Sequence, residues 1–337
     1  MHNAYVEEST LKATASAPAK IILCGEHAVV FYEPAIVMAI DKQAYVTVEA
    51  RSDQAIYIKS RNLGVSGRYE RGRFKLGVGG GAAKSKLDPI RIAVEKTLEL
   101  AEKKMGLNVL VDSDIPVAAG LGSSAAVAVA TIAATGKLLE TSLSKEKICS
   151  IAYEAEKTVH EQPSGIDNYI STYGGITIFR RGEKFTPLEA RANVILVIGN
   201  TKVSRSTGLL VRHVSELKEA YPKVINPIIK AIGRISVSAA NALQDGELKR
   251  LGELMNVNHG LLYALGVSSE ELDQLVYAAR RAGALGAKLT GAGGGGCMIA
   301  LVTPDKLEKV RRAIRRAGGI AMLAKKNDRG VQVWEEK

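Results

Sequence analysis

The stretch Gly120-Leu121-Gly122-Ser123-Ser124-Ala125-Ala126 joins a flexible glycine turn to two hydroxyls, and the apolar run Val127-Ala-Val-Ala-Thr-Ile-Ala-Ala behind it reads as a buried helix. A helix start offers unpaired N–H groups and the positive end of the helix dipole, so this segment suits a phosphate. Ser123 could equally be an ordinary helix cap among small residues chosen for packing. Two other glycine-rich segments compete for the role. Gly77-Val-Gly-Gly-Gly-Ala-Ala-Lys84-Ser85 approaches a Walker loop, but Ala83 stands where glycine should precede Lys84, so it reads as a surface loop. Gly291-Ala-Gly-Gly-Gly-Gly fits G-x-G-x-x-G, yet Cys297-Met-Ile-Ala-Leu-Val after it reads as strand where a dinucleotide site needs a helix. Gly120 to Ala125 also fits G-x-G-x-x-A, with Glu140 about 20 residues on, but no clear βαβ unit surrounds it.

The elements around these residues follow from periodicity. Lys20–Cys24 and alternating Ala44–Ala50 read as strands, with meander strands at Ile56–Ile58 and Arg68–Lys75. Pro89–Met105 reads as an amphipathic helix ended by Gly106, and Leu107–Val111 as the strand leading to the glycine turn. A helix over Lys145–Val159 and a strand over Gly175–Phe179 follow. The chain turns polar over Gly182–Ala192, which divides a first domain (1–185) from a second (186–337). The second half reads as strand Val194–Ile198, then helices Thr207–Ala220, Pro227–Leu243, Glu247–Leu262 and Ser269–Arg281. Strands Ala287–Leu289 and Cys297–Val302, helix Asp305–Ala317 and a closing strand Gly330–Trp334 complete it. Strands and helices mixed without strict alternation predict an α+β fold.

Composition narrows the partners. The net charge of +11, from 46 basic and 35 acidic residues, suits anionic ligands such as nucleotide phosphates or a carboxylate. Arg311-Arg-Ala-Ile-Arg-Arg sits at helical spacing and reads as a solvated face. Aromatics do not interleave a basic patch, so no nucleic-acid partner is expected. The three cysteines lack the paired spacing of a disulfide framework or zinc site. Met1 to Ala19 carries no apolar signal segment, and Ala125–Ala134 falls short of the roughly 20 residues that cross a bilayer. A cytoplasmic location without membrane contact is the expectation.

Three motifs stand in order: Ala17-Pro-Ala-Lys20-Ile-Ile-Leu-Cys-Gly-Glu26-His27-Ala-Val-Val, Pro116-Val-Ala-Ala-Gly-Leu-Gly-Ser-Ser-Ala-Ala126, and Lys288-Leu-Thr-Gly-Ala-Gly-Gly-Gly-Gly-Cys297. Together they resemble the GHMP kinases, the superfamily of galactokinase, homoserine kinase, mevalonate kinase and phosphomevalonate kinase. Pro163-Ser-Gly-Ile-Asp167-Asn168, Asn200-Thr-Lys-Val-Ser-Arg205-Ser-Thr207 and Asn258-His-Gly-Leu-Leu-Tyr narrow the resemblance to the mevalonate kinase family. Ala19 departs from that pattern, which usually has glycine there; one methyl group fits unless the backbone needs a positive φ.

The resemblance implies an N-terminal half like ribosomal protein S5 domain 2, a ferredoxin-like C-terminal half, and ATP with Mg²⁺ in the cleft between them. It implies phosphorylation of the 5-hydroxyl of (R)-mevalonate. Pro116, Gly120, Leu121, Gly122, Ser123, Ser124, Ala125 and Ala126 would cradle the ATP phosphates, with Gly291, Gly293 and Gly294 packed against them. Mg²⁺ needs few protein oxygens: a hydroxyl from Ser124 or its neighbour Ser123, and the Glu156 carboxylate. By itself Glu156 reads as a solvated helix residue beside Lys157. Asp167, otherwise an Asx turn or helix cap, would accept the substrate hydroxyl proton. Lys20, otherwise a snorkelling surface residue, would sit beside it. His27, otherwise a structural donor, would bond substrate with Glu26 as helper. Arg205 and Thr207 would meet the substrate carboxylate, for which an Arg fork is suited. Asn200 and Lys202 would shape that loop. A homodimer is the analogy's expectation for assembly. The alternatives are a sibling kinase acting on phosphomevalonate or another mevalonate hydroxyl, and a non-catalytic nucleotide sensor.

Overall fold

The computed structural model describes residues 11–117, 119–157, 164–203 and 207–335. The chain opens with β1 (Lys12–Cys24), a 3₁₀ turn (Ala28–Phe31) and the long β2 (Ala35–Arg51), followed by the meander β3 (Ile56–Ser60), β4 (Val65–Glu70) and β5 (Arg73–Val78). Then come α1 (Ala83–Leu100), β6 (Gly106–Ser113), α2 (Ser123–Leu138), α3 (Lys145–Lys157), α4 (Ile166–Tyr173), β7 (Ile176–Phe179) and the short β8 (Thr186–Pro187). β9 (Ile195–Asn200) precedes α5 (Thr207–Ala220), α6 (Pro222–Asp245), α7 (Leu248–Ala264) and α8 (Glu270–Arg281). β10 (Gly286–Thr290), β11 (Cys297–Leu301), α9 (Leu307–Arg316), β12 (Ile320–Lys325) and β13 (Gln332–Glu335) end the described chain.

The larger sheet runs β13-β1-β2-β6-β3-β4-β5, with β7 on β2 and β8 on β7. Its β3–β6 pair is parallel and the others are antiparallel. Ala13, Ala15, Ala17 and Ala19 alternate along β1 and are fully buried in a core shared with the alanine-rich α2. Small residues on both partners allow a close helix-on-sheet approach, and α2 is buried on nearly every side. The β1–β2 register shifts between Pro18 and Ala19, next to the residue that cannot donate to the ladder.

The smaller sheet, β10-β11-β9-β12, is antiparallel, with α8 and α9 packed on it. Read from β9, the β-α-β-β-α-β order gives the ferredoxin-like pattern, with three extra helices between β9 and α8. α6 and α7 bridge the halves: α7 packs on β10, and α6 packs on α7 and the 3₁₀ turn. One core cluster accordingly holds Ile21 and Leu121 together with Leu196, Met255 and Ile299.

Several sequence expectations need correction. The closing strand, assigned to 186–337, pairs antiparallel with β1 in the larger sheet, because the ladder it completes is that sheet's edge. α1 begins at Ala83 and carries Pro89 inside it; Leu87, Ile90, Ala93, Val94 and Leu98 form one buried stripe that outweighs the proline's lost bond. Gly106 opens β6 and does not end the helix. A Cβ there would lie 2.4 Å from Asp53 O, so the close approach of the 53–55 segment demands glycine. α4 and β12 are elements that local periodicity does not predict.

Candidate active site

A recess of about 240 Å³ gathers Lys20, His27, Gly122, Asp167, Thr207 and Gly291, residues from five separated segments of the chain and both its halves. At its centre Lys20 Nζ lies 3.1 Å from Asp167 Oδ1, with the lysine side chain almost buried. The backbone around the pair is tied together. Lys20 N donates to Leu121 O at 2.8 Å, which joins β1 to the glycine turn. Ser171 Oγ donates to Pro18 O at 2.8 Å, which anchors α4 beside the β1 register shift. Gly165 starts α4 from the left-handed region (φ 75°), and Asp167 falls in that helix's first turn.

Gly122 has two reasons to be glycine. Its φ is 75°, and a Cβ would come within 2.8 Å of Lys20 Cγ. It is the N-cap of α2 and forms no side-chain cap bond; Ser123 is the first helical residue, so the ordinary serine-cap reading fails. The exposed Ser124 hydroxyl and the first-turn N–H groups therefore face outward at the positive helix end. The other residues of the segment differ in exposure and backbone bonding. Ala126 N is spent on Gly122 O at 3.1 Å, and Ala126 is fully buried. Ala125 is buried, Pro116 is half-buried, and Leu121 is a core residue whose contribution is its carbonyl bond to Lys20.

The third glycine motif divides. Gly291 lines the recess. Gly293 instead packs on Val267, whose carbonyl lies 1.8 Å from where a Cβ would be, and Gly294 donates its N–H to the same carbonyl at 2.8 Å. Those two glycines permit a close backbone crossing next to the recess.

Ser124, Glu156 and Asn168 line a narrow neighbouring recess. Glu156 Oε2 accepts from Asn168 Nδ2 at 2.6 Å. Burial, reinforced by the negative charge of Asp167, pushes the Glu156 carboxyl from its ordinary 4.5 up to about 7, against the opposing pull of Asn168 and Lys20. Two carboxylates thus share one ammonium, a local deficit of positive charge. Among the described residues no cluster of three or more His, Cys, Asp or Glu forms a metal cage. One hydroxyl and one carboxylate opening on one recess are the sparse oxygen set that Mg²⁺ uses when phosphates and waters complete its shell. The donor set fits that ion.

His27 has φ 60°, and its Nε2–H donates to Ala292 O at 2.8 Å. Glu26 borders the recess, but its carboxylate is turned away: Oε1 pairs with Lys288 Nζ and Oε2 accepts from Asn258 Nδ2 at 3.0 Å. Both carboxylate oxygens of Glu26 are thus engaged within the fold, which leaves it as a helper acting through its neighbour His27. Thr207 is the first residue of α5 and faces the recess; Arg205 lies outside the described residues. Asn200 Oδ1 accepts from Lys202 N at 2.8 Å, the turn that shapes this loop.

Sequence reasoning missed an apolar slot of about 310 Å³ on the other side of the α2 start, lined by Leu63, Ile90, Val111, Ile115 and Val127 and shared with Ser123 and Ser124. Its size and lining suit a flat heterocycle. The apolar stripe of α1 was legible, but its pairing with the meander was not.

Comparisons with known proteins agree with this geometry. The GHMP kinases N-terminal domain model matches residues 90–175, and the GHMP kinases C-terminal model matches 239–320. The chain is 43% identical over 329 residues to the mevalonate kinase of Pyrococcus horikoshii, covering 95% of this chain and 97% of that one. It is 45% identical over 334 residues to the mevalonate kinase of Thermococcus onnurineus, covering 96% and 99%. Among solved structures, L. major mevalonate kinase in complex with R-mevalonate superposes with a TM-score of 0.83 at 28% identity, covering 96% of this chain and 98% of that one. The Methanococcus jannaschii mevalonate kinase does so with a TM-score of 0.80 at 26% identity, covering 95% and 99%.

Proposed function

Since the chain belongs to the mevalonate kinase family of the GHMP kinases, we propose that it transfers the terminal phosphoryl group of ATP to the 5-hydroxyl of (R)-mevalonate. The observation that carries this is the Lys20–Asp167 pair at 3.1 Å, seated directly beside the Gly122 start of α2. Phosphoryl transfer is chiefly positioning and charge stabilisation. The apolar slot takes the adenine, and the chain of phosphates passes over the N–H groups of Ser123 and Ser124 toward Lys20. The attacking hydroxyl lies against Asp167, which orients it and accepts its proton late, as the oxygen loses basicity to the forming P–O bond. Lys20 keeps the carboxylate aimed and meets charge on the transferring group. His27 and Thr207 border the space left for the rest of the substrate; Arg205, which the family pattern assigns to the carboxylate, lies outside the described residues. Ser124 and Glu156 would hold Mg²⁺, which supplies charge neutralisation to the phosphates.

No helix among the described residues is long and apolar enough to cross a membrane. A coupled ADP-release assay with Mg-ATP and (R)-mevalonate, run beside Asp167→Asn and with homoserine and phosphomevalonate as alternatives, tests the reading. Turnover confined to mevalonate and lost in the variant is expected, with NMR of the product locating phosphate on the 5-oxygen. Turnover only on another alcohol would overturn the substrate assignment.

A further inference from the structure

Successive alternate residues at the end of β10 reach across to the first motif. Lys288 Nζ pairs with Glu26 Oε1, and neither side chain has any solvent exposure. The same ammonium donates to Leu289 O at 2.6 Å. Thr290 Oγ1 donates to Ile22 O and accepts from Ile22 N, both at 3.0 Å. Ala292 O takes the His27 ring bond. Strand alternation puts 288 and 290 on one face, and the turn carries 292 round to the same side. Asn258 of α7 closes the set by donating to the other Glu26 oxygen.

An ammonium sealed from water is costly, and an apolar pair of equal volume would hold the core at least as well. Stability is therefore a poor reason for Lys288, and placement is a better one. The residue next to Glu26 is His27, whose φ of 60° and ψ of −44° are unfavourable for a side-chain-bearing residue. Such a conformation persists where its surroundings over-determine it. Here Glu26 is pinned from two directions immediately before it, and the ring itself is pinned to Ala292. The recess wall made by His27, Gly291 and Ala292 is thereby set relative to Lys20 and Asp167.

We propose that Lys288 is a positioning residue: through Glu26 it holds His27 in place for substrate binding without touching substrate or nucleotide. The inference rests on the reading of His27 as a substrate-side contact. Lys288→Met alone would strand a buried carboxylate, so the test is the paired variant Glu26→Gln/Lys288→Met beside Lys288→Arg, which keeps the charge but changes its reach. Melting temperature, kcat and separate KM values are measured for all three. The expected result is a paired variant that melts within a few degrees of the parent, with KM for mevalonate raised about tenfold or more and KM for ATP changed less than about twofold. The His27 ring resonances, which need no turnover, should move with it. If the paired variant does not fold, Lys288→Arg carries the same expectation. An unmoved His27 resonance and an unchanged mevalonate KM in a folded variant would overturn the proposal. A parent that never turns over mevalonate defeats the substrate reading instead, and the ring resonances still decide this one.

Discussion

The environment of Glu156 is tuned against its own charge. In the folded chain its carboxyl is pushed from 4.5 up to about 7 by burial and by Asp167. A raised carboxyl pKa means the folded state holds the proton more tightly than the unfolded state does. Stability from this group is fully present below pH 4.5 and is lost as pH rises through 7. At about 1.4 kcal/mol per unit the full gap would be roughly 3 kcal/mol, and solvent screening of a half-buried side chain trims it to about 2 kcal/mol. Glu156→Gln removes the titration but keeps the shape. In the presence of a chelator, the variant minus parent difference in unfolding free energy should climb between pH 4.5 and 7 and level off about 2 kcal/mol in the variant's favour. Mg²⁺ should reverse the order. The ion binds the ionised form, so parent affinity for it rises up to tenfold per pH unit below 7 and flattens above, and Glu156→Gln loses both affinity and pH dependence. Denaturant melts at intervals from about pH 4.5 to 8, with and without Mg²⁺, give both profiles. Parallel profiles for parent and variant in chelator would refute the placement of Glu156 in a charge-poor recess.

Asp167→Asn should lower kcat about 10²- to 10⁴-fold in the ADP-release assay while nucleotide titration shows ATP still bound. Gly122→Ala adds a methyl group 2.8 Å from Lys20 Cγ at a φ of 75°; a stability loss of about 1–2 kcal/mol and a fall of about tenfold or more in kcat/KM are expected from melts and kinetics. His259 accepts from Leu289 N on Nδ1 at 3.4 Å and donates Nε2–H to Asp273 Oδ1 at 3.1 Å, and burial with the Arg280 charge pushes it down to about 4. The stability it contributes above pH 6.5 should drain away as pH falls toward 4, and His259→Gln should flatten that limb of the melting-temperature profile.

What the sequence could disclose about the fold followed local periodicity. α5 falls where its apolar spacing put it, at Thr207–Ala220, because one face alone decides it. α4, with eight residues, is too short for a period to register, and Ile320-Ala-Met-Leu-Ala carries no alternation that separates strand from helix. The placement of β13 depends on an edge at β1, more than 300 residues earlier, that no local pattern encodes. Pro89 and Gly106 misled for a shared reason: each is a local breaker by propensity, and each is overruled by a tertiary contact, the stripe of α1 in one case and the Asp53–Ala55 backbone in the other.

The site was legible where a motif is contiguous and opaque where it is assembled. Gly120 to Ser124 could be read as an anion-binding helix start because turn, hydroxyl and helix are neighbours in the chain. Nothing local links Lys20 to Asp167, and only the family pattern joined them. Glu26 shows what motif membership alone leaves out: it adjoins His27 in the chain, yet its carboxylate answers to a residue 262 positions away. One physical signal for that pairing was present. Lys288 stands in Gly286–Thr290, a strand buried at every position, where an ammonium requires a carboxylate. Among the described residues Glu26 is the sole fully enclosed acid, and the other enclosed lysine, Lys20, is taken by Asp167. Charge balance inside the molecule therefore leaves Glu26 to Lys288, and that withdraws Glu26 from the substrate while leaving His27 beside it in the recess.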